Sequence, residues 1–368
     1  MEIPLSRPDI TEAERAAVLA VLETPHLSLG PKVPEFEQLF REYLGVRHAM
    51  AVSNGTCGLD LCLRAMGIGP GDEVITTPFS FIASSNCILF NGARPVFVDI
   101  DPDTWNIDPD RIEAAITPRT RAILPVDVFG QPADMDPIRE LAGRRGLRVL
   151  EDSCEALGAT YKGRKAGTLG DAGVFGFYPN KQITTGEGGM VVTDDDDIAR
   201  LVASMRNQGR DGMGWLAHAR LGFNYRLSDI SCALGAAQMR RLEEILAARH
   251  RVAGLYQQRL AGEPRVRMQR ILETCTISWF VMVVRLDDRY TREDRDRIID
   301  GLRAAGVGCS NYFPPIHLQP FYVEKFGCRR GDLPVCEALT DRTVALPFHG
   351  RLTEAEVDRA VSVFRSLL

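Results

Sequence analysis

The stretch FGFYPNKQITTGEGGMVV, residues 175–192, contains a lysine in a setting suited to covalent chemistry. Pro179 and Asn180 break regular structure just before Lys181, and the glycines that follow let the backbone approach a ligand closely. Partial burial in such a turn favours the uncharged amine, which is a nucleophile towards carbonyl groups. The pattern predicts imine chemistry at Lys181, and the alternative is a solvated surface lysine.

A second candidate is SNGTCGLDLCLRAMG, residues 53–67, where a small polar loop follows a strand and opens a helix. Backbone N–H groups and the helix dipole converge at such a point, which suits a phosphate group. Thr56 can add a hydroxyl, although threonine there is also an ordinary helix N-cap. No Walker lysine or GxGxxG follows, so neither a nucleoside triphosphate nor a nicotinamide is indicated.

A third candidate is Asp152, which ends the apolar run in VLEDSCEALGA. A charged carboxylate that faces a crevice with little water is destabilising unless a cation pairs with it, so the position predicts a cationic partner. The alternative is an N-cap for a helix that follows. A phosphate cradle, a strand-end carboxylate and an imine-forming lysine, in that order, are what pyridoxal 5′-phosphate requires.

Short apolar, β-branched runs supply the strands that must position these residues: 48–53, 72–77, 94–100, 121–126 and 147–152. Two helices precede them and others separate most of them: 11–22, 33–44, 58–66, 81–90, 109–116 and 135–145. This alternation predicts an α/β fold of parallel βαβ units, with ligands bound beyond the carboxyl ends of the strands.

A smaller lobe is expected after the parallel units. A single helix from a Ser228 cap to about Leu260 is predicted to join the lobes, and a strand-like run and two helices follow it, at 277–286, 291–305 and 354–367. We therefore expect a large domain at 1–245, with an N-terminal arm, and a small C-terminal domain at 246–368.

Charge and cysteine usage narrow the class of protein. A net charge of -5 with interspersed signs argues against nucleic acid or an anionic membrane as a partner. The 9 cysteines lack a CxxC pair and lie in apolar settings, which predicts buried thiols in a reducing compartment. With no recognisable leader or long apolar stretch, a cytoplasmic protein is expected.

Four ordered motifs resemble the DegT/DnrJ/EryC1/StrS family of sugar aminotransferases: FEQLFREYLGVRHAMAVSNGTCGLDLCL, GDEVITTPFSFIASSNCILFNGARPVFVDID, EDSCEALGATYKGRKAGTLGDAGVFGFYPNKQITTGEGG and RLGFNYRLSDISCALG. The resemblance covers nearly the whole chain and is strongest from Phe36 to Gly235. It implies fold type I, the aspartate aminotransferase fold: a large domain with a mostly parallel central sheet flanked by helices, plus a smaller C-terminal α/β domain. It also implies a homodimer with active sites shared between subunits.

The resemblance assigns roles by position. Lys181 would hold the pyridoxal phosphate aldehyde as an imine and move the proton, and Asp152 would pair with the pyridine nitrogen. Phe81 would stack on the ring, with core packing as the alternative. The remaining residues implied to contact the phosphate are Gly55, Thr56, Cys57 and, from the neighbouring subunit, Asn224.

Two positions depart from the family's commonest pattern. Gly176 stands where many members carry a phosphate-binding serine, so one hydrogen bond of about 1–2 kcal/mol must come from elsewhere. Glu155 replaces a frequent glutamine and would face the cofactor's phenolic oxygen, where two anions repel. We therefore expect Glu155 to share or hold a proton.

The distal segment SNYFPPIHLQPFY, residues 310–322, resembles the family's substrate-side loop. Tyr312 and His317 are candidate contacts for the sugar or nucleotide, and the alternative for His317 is a buried, hydrogen-bonded histidine. Arg226 is a candidate for the carboxylate of a glutamate donor. The histidine and cysteine spacings indicate no metal site.

The predicted activity is transfer of an amino group from L-glutamate to a nucleotide-linked keto-deoxysugar, with pyridoxamine phosphate as the intermediate form of the cofactor. A keto-cyclitol acceptor remains open. A sugar 3-dehydratase of the same family is a second alternative, but those members carry histidine in place of Lys181. A non-catalytic regulatory homologue is the third, and retention of Asp152 with Lys181 argues against it.

Overall fold

A computed structural model describes residues 2–212 and 217–368. Its strands, in chain order, are β1 (His48–Val52), β2 (Glu73–Thr76), β3 (Arg94–Phe97), β4 (Thr120–Leu124), β5 (Arg148–Asp152), β6 (Thr160–Tyr161), β7 (Arg164–Lys165), β8 (Ala172–Gly176), β9 (Gly189–Thr193), β10 (Val266–Met268), β11 (Cys275–Thr276), β12 (Met282–Leu286) and β13 (Thr343–Leu346).

The helices are α1 (Glu12–Leu22), α2 (Lys32–Leu44), α3 (Gly55–Ala65), α4 (Ala83–Phe90), α5 (Pro109–Ile112), α6 (Met135–Arg145), α7 (Asp196–Arg206), α8 (Asp229–Arg240), α9 (Leu242–Leu260), α10 (Arg292–Ala304), α11 (Pro320–Phe326), α12 (Pro334–Thr340) and α13 (Glu354–Leu367). Short 3-10 turns lie at Glu113–Ala115, Val128–Gly130 and Ile316–Leu318. Within the described ranges, none of these helices has the length and apolarity to cross a membrane.

The central sheet has seven strands in the order β1-β9-β8-β5-β4-β2-β3. Its pairs are parallel except those that β9 makes with β1 and β8. Most strand positions are buried on both faces, as expected for a sheet covered by helices on each side. The prediction of an α/β fold with a mostly parallel central sheet is confirmed.

One edge of this sheet gathers the candidate residues. In the register of the pairs, Gly189 at the start of β9 lies opposite both Val52 at the end of β1 and Gly176 at the end of β8. A Cβ on Gly189 would lie 2.7 Å from the carbonyl carbon of Asn54, so glycine is required for α3 to begin this close to the sheet. The 177–188 loop, which contains Lys181, therefore crosses the carboxyl ends of β1 and β8.

Two local predictions are corrected. The single helix from Ser228 to Leu260 is wrong, because α8 ends at Arg240 and Arg241 leaves helical geometry at φ -110° and ψ 12° before α9 begins. Arg241 also donates to Glu14 of α1, a contact that no local pattern indicates. The strands β8 and β9 were missed, since glycines interrupt their apolar runs.

A second core lies around the three-stranded sheet β10-β12-β13. Its buried residues come from α9 onwards, with Ile3 of the N-terminal arm added through a parallel bridge to Val307. This core supports our proposed division into a large domain at 1–245 and a small one at 246–368. Contacts from α9 back to the 177–188 loop connect the two at the candidate site.

Candidate active site

Asp152 lies at the carboxyl end of β5, 5% exposed, with both carboxylate oxygens occupied. Ser84 Oγ donates to its Oδ2 at 2.7 Å, and the Cys154 backbone N–H donates to Oδ1 at 3.2 Å. No helix follows within residues 153–159, so the alternative interpretation of Asp152 as an N-cap is wrong. The carboxylate is held in place at the edge where β5 ends, ready to accept from a cationic or N–H group.

The N-terminus of α3 forms a cradle beside Asp152. Asn54 is the N-cap, its side chain accepting from the Cys57 N–H at 2.8 Å, so the alternative that Thr56 caps this helix is wrong. The N–H groups of Gly55 and Thr56 lie in the first turn, where no intrahelical acceptor exists. A Cβ on Gly55 would lie 2.6 Å from Cys154 Sγ, so only glycine lets the cradle close against the β5 loop.

Lys181 lies within this site and not at the surface, which excludes the solvated-lysine alternative. Its side chain is 14% exposed, and Nζ lies 3.3 Å from Glu155 Oε1. The same atom lies 3.9 Å from the centre of the Phe280 ring, a cation–π distance. The amine is therefore held from two sides, by a carboxylate and by an aromatic face.

Glu155 is buried at 4% exposure and connects Lys181 to the 128–130 turn. Its Oε2 accepts from the Phe129 N–H at 2.9 Å, and Phe129 adopts a left-handed backbone at φ 59°. Burial raises the pKa of Glu155, while Lys181 and the Phe129 N–H partly oppose the rise. The direction agrees with a carboxyl that shares or holds a proton, and Phe129 stores strain of the kind found at functional sites.

The residues present fit pyridoxal phosphate. Free N–H groups at a helix N-terminus, a fixed carboxylate and a partly buried amine lie around one sheet edge, and the cradle is one that a Cβ at Gly55 would block. Gly176, the last residue of β8, also lies beside the Cys154 thiol, since an added Cβ would lie 3.3 Å from Cys154 Sγ. Within the described ranges, no group of three or more His, Cys, Asp or Glu could hold a metal ion.

Phe81 and Tyr312 border this group. Phe81 is 60% exposed, so core packing does not explain it, and its carbonyl accepts from the N–H of Ser84, which binds Asp152. Tyr312 is half-buried, and burial raises the pKa of its phenol, with Glu155 adding to the rise. Their predicted contacts with the cofactor and the substrate stay predictions.

Asn224 and Arg226 flank Tyr225, whose carbonyl accepts from the Ser53 N–H at 2.9 Å just after β1, and Asn224 forms a backbone bridge with Asn207. Asn224 is exposed, and Arg226 Nη1 donates to Asn207 Oδ1 at 3.0 Å while its buried Nε lacks a hydrogen-bond partner among the described residues. Among the described residues, no hydrogen bond or ion pair joins Asn224 or Arg226 to Lys181 or Asp152. Their predicted ligand roles stay predictions.

His317 lies away from the crevice surface, at 1% exposure. Its Nε2 lies 2.9 Å from Glu337 Oε1, and its ring packs 6.4 Å from that of Phe97. These contacts match the alternative of a buried, hydrogen-bonded histidine and give the substrate role no support.

Three residues of the site are not among the predicted site residues: Ser84, Phe280 and Phe129. Ser84 lies three positions after Phe81, a spacing that allows the turn in which the Ser84 N–H donates to the Phe81 carbonyl at 3.2 Å. Phe280 and Phe129 come from distant parts of the chain and carry no local signal.

Comparison with known proteins agrees with this geometry. The family model for the DegT/DnrJ/EryC1/StrS aminotransferase family matches residues 8–365. GDP-perosamine synthase from Caulobacter vibrioides is 44% identical over 368 residues, covering 100% of this chain and 98% of that protein.

Solved structures agree over the same length. DesV from S. venezuelae, in complex with a ketimine intermediate, has a TM-score of 0.92 and 35% identity over 99% of this chain and 98% of that one. The sugar aminotransferase Spr1654 from Streptococcus pneumoniae, in its PMP form, has a TM-score of 0.95 and 29% identity over 100% and 98%. A PLP form of Spr1654 matches equally well, at a TM-score of 0.95.

Proposed function

The chain belongs to the DegT/DnrJ/EryC1/StrS aminotransferase family, and from this premise we propose that it transfers the amino group of L-glutamate to the keto group of a nucleotide-linked deoxysugar. As a member it is a pyridoxal-phosphate-dependent aminotransferase of fold type I. The relative named GDP-perosamine synthase supports a nucleotide-linked sugar as the acceptor.

The observation that carries the proposal is the placement of one amine. Lys181 Nζ lies between Glu155 and Phe280 on a partly buried side chain, at the sheet edge where Asp152 ends β5 and where α3 begins. A lysine held in this way keeps its amine oriented towards a ligand bound at that edge, which lowers the entropic part of the barrier.

Bound pyridoxal phosphate supplies an aldehyde and an electron sink. Asp152, fixed by Ser84, would hold a proton on the pyridine nitrogen, and the N–H groups of Gly55 and Thr56 would bind the phosphate. Lys181 Nζ would take the proton from Cα of the donor amino acid. Phe81 and Tyr312 would exclude water from the ring and from the acceptor.

We also propose a homodimer with shared active sites and a cytoplasmic location. The exposed apolar side chains of Phe81, Tyr178 and Leu221, at 60%, 54% and 79%, support a surface that a second subunit covers. The exposed Asn224 could contact a neighbouring subunit.

All nine cysteines are unpaired thiols, which supports a reducing compartment such as the cytoplasm.

The test uses the pyridoxamine form of the holoenzyme. It is mixed with a panel of keto-deoxysugars linked to different nucleotides and with a keto-inositol, while the return of the aldehyde spectrum is followed. We expect a nucleotide-linked keto-sugar to restore it, and a Lys181→Ala variant to fail with every acceptor. Restoration by the keto-inositol alone, or by none while glutamate still reacts, would overturn the proposed acceptor class.

A further inference from the structure

Arg249, in α9, is a buried cation with no carboxylate next to it. Its exposure is 4%, and among the described residues no acidic group lies within ion-pair distance of its guanidinium. Burial lowers its pKa to about 10, with distant Asp9 opposing the fall, so the group remains charged at neutral pH. A buried charge is destabilising unless its donors are hydrogen-bonded, which makes the identity of its acceptors informative.

Those acceptors are four backbone carbonyls on two separate segments. Nη2 donates to the carbonyl of Lys181 at 2.6 Å and of Asn180 at 3.3 Å. Nη1 donates to the carbonyls of Phe280 at 3.2 Å and Trp279 at 3.4 Å. The planar fork of one guanidinium thus joins the lysine loop to the segment that leads into β12.

Both segments hold the same amine. The first is the backbone of Lys181 itself, and the second is the backbone of Phe280, whose ring lies 3.9 Å from Lys181 Nζ. Gln182 adds a parallel link, since its Nε2 donates to the carbonyl of Ser278 at 3.0 Å. Arg249 therefore joins the backbone of the lysine to the backbone of the residue whose ring faces its amine.

We propose that Arg249 is a positioning residue for amino transfer, whose guanidinium fixes the Lys181 backbone against the Phe280 segment so that Nζ stays aligned over the Asp152 side of the crevice. This inference rests on the proposed function for its effect on turnover. Its structural part stands independently, because it concerns only the fixation of two backbone segments. Arg249 acts through Lys181 and contacts neither substrate nor cofactor.

The test is Arg249→Lys in the full-length holoenzyme, with Arg295→Lys as the matched control. A lysine keeps the charge, but its single ammonium cannot span both pairs of carbonyls. Arg295, in α10, is likewise buried at 2% exposure, and it donates to the carbonyl of Thr340 at 2.9 Å and to Asp296 Oδ1 at 2.6 Å, with no hydrogen bond to the Lys181 loop. Both variants undergo the same chemical change in the same lobe.

We expect Arg249→Lys to lower kcat about 100-fold with KM for glutamate changed only a few-fold, because small misplacement of a catalytic group has that effect. Hydrogen–deuterium exchange should rise in peptides spanning 177–185 and 278–282, and the visible circular dichroism per bound cofactor should fall. Arg295→Lys should leave kcat and both peptides unchanged. If the two variants behave alike in exchange and in kcat, the positioning role is overturned.

Two measurements on the wild-type enzyme test the inference without a variant. In wild-type enzyme the Lys181 N–H, which donates to the Tyr178 carbonyl at 2.9 Å, should exchange as slowly as amides of the core. Fast exchange there overturns the inference even if Arg249→Lys does not fold. Slow exchange together with no wild-type turnover on any acceptor refutes the proposed function and leaves the fixation of the loop supported.

Discussion

The closeness of Gly55 to Cys154 makes Gly55→Ala a quantitative probe of the phosphate cradle. The new Cβ would lie 2.6 Å from Cys154 Sγ, nearly 1 Å inside ordinary contact. The backbone is held on both sides, because Gly55 opens α3 and the Cys154 N–H is bound to Asp152, so relief of the contact requires the Cys154 side chain to rotate. Overpacking of this kind costs about 1–3 kcal/mol. If this cost falls on the cofactor-bound state, the dissociation constant for pyridoxal phosphate should rise about 5- to 150-fold.

Removing the sulfur should restore binding. In the Gly55→Ala, Cys154→Ala double variant, the next atoms around the new Cβ are Gly176 Cα at 3.5 Å and the Phe175 carbonyl oxygen at 3.8 Å, both in ordinary contact. The double-mutant cycle should therefore show a coupling energy of about 1–3 kcal/mol.

The assay is spectral titration of the apoenzyme with pyridoxal phosphate, with thermal unfolding measured alongside. Gly143→Ala is the control, since a Cβ on Gly143 of α6 meets nothing within 4 Å, and its cofactor affinity should be that of wild type. If the single and double variants bind the cofactor equally weakly, the coupling energy is near zero, and this would refute the claim that Cys154 closes the cradle on Gly55.

Three other substitutions test the site. Burial raises the pKa of Glu155 and glutamine copies its protonated form, so Glu155→Gln should keep activity at neutral pH and remove the fall in kcat that deprotonation of Glu155 causes at higher pH; loss of all cofactor binding would contradict this role. Gly176→Ser should strengthen cofactor binding about tenfold in the same titration through one added hydrogen bond, once Cys154 Sγ, 3.3 Å from the new Cβ, shifts slightly; unchanged affinity would show that the hydroxyl does not reach the phosphate. Ser84→Ala removes a 2.7 Å bond to buried Asp152, which should weaken cofactor binding by about 10- to 100-fold, and wild-type affinity would show that Ser84 does not hold the carboxylate.

Local sequence patterns predicted the parallel α/β layout and the positions of Thr56, Asp152 and Lys181. Each depends on neighbours in the chain: apolar runs that end at a polar residue, a loop that opens a helix, and glycines after a lysine. Such patterns report backbone periodicity and turn chemistry, which are properties of short segments. Family resemblance then gave those positions a common role.

Tertiary structure decided which groups contact them. Ser84 binds Asp152, which is 68 residues away in sequence. Arg249 binds the Lys181 carbonyl, which is also 68 residues away. The same packing buried His317 against Glu337, where the sequence also allowed a substrate contact. Side chains on separate elements meet only when the sheet and helices pack, so no window of sequence contains the information that pairs them.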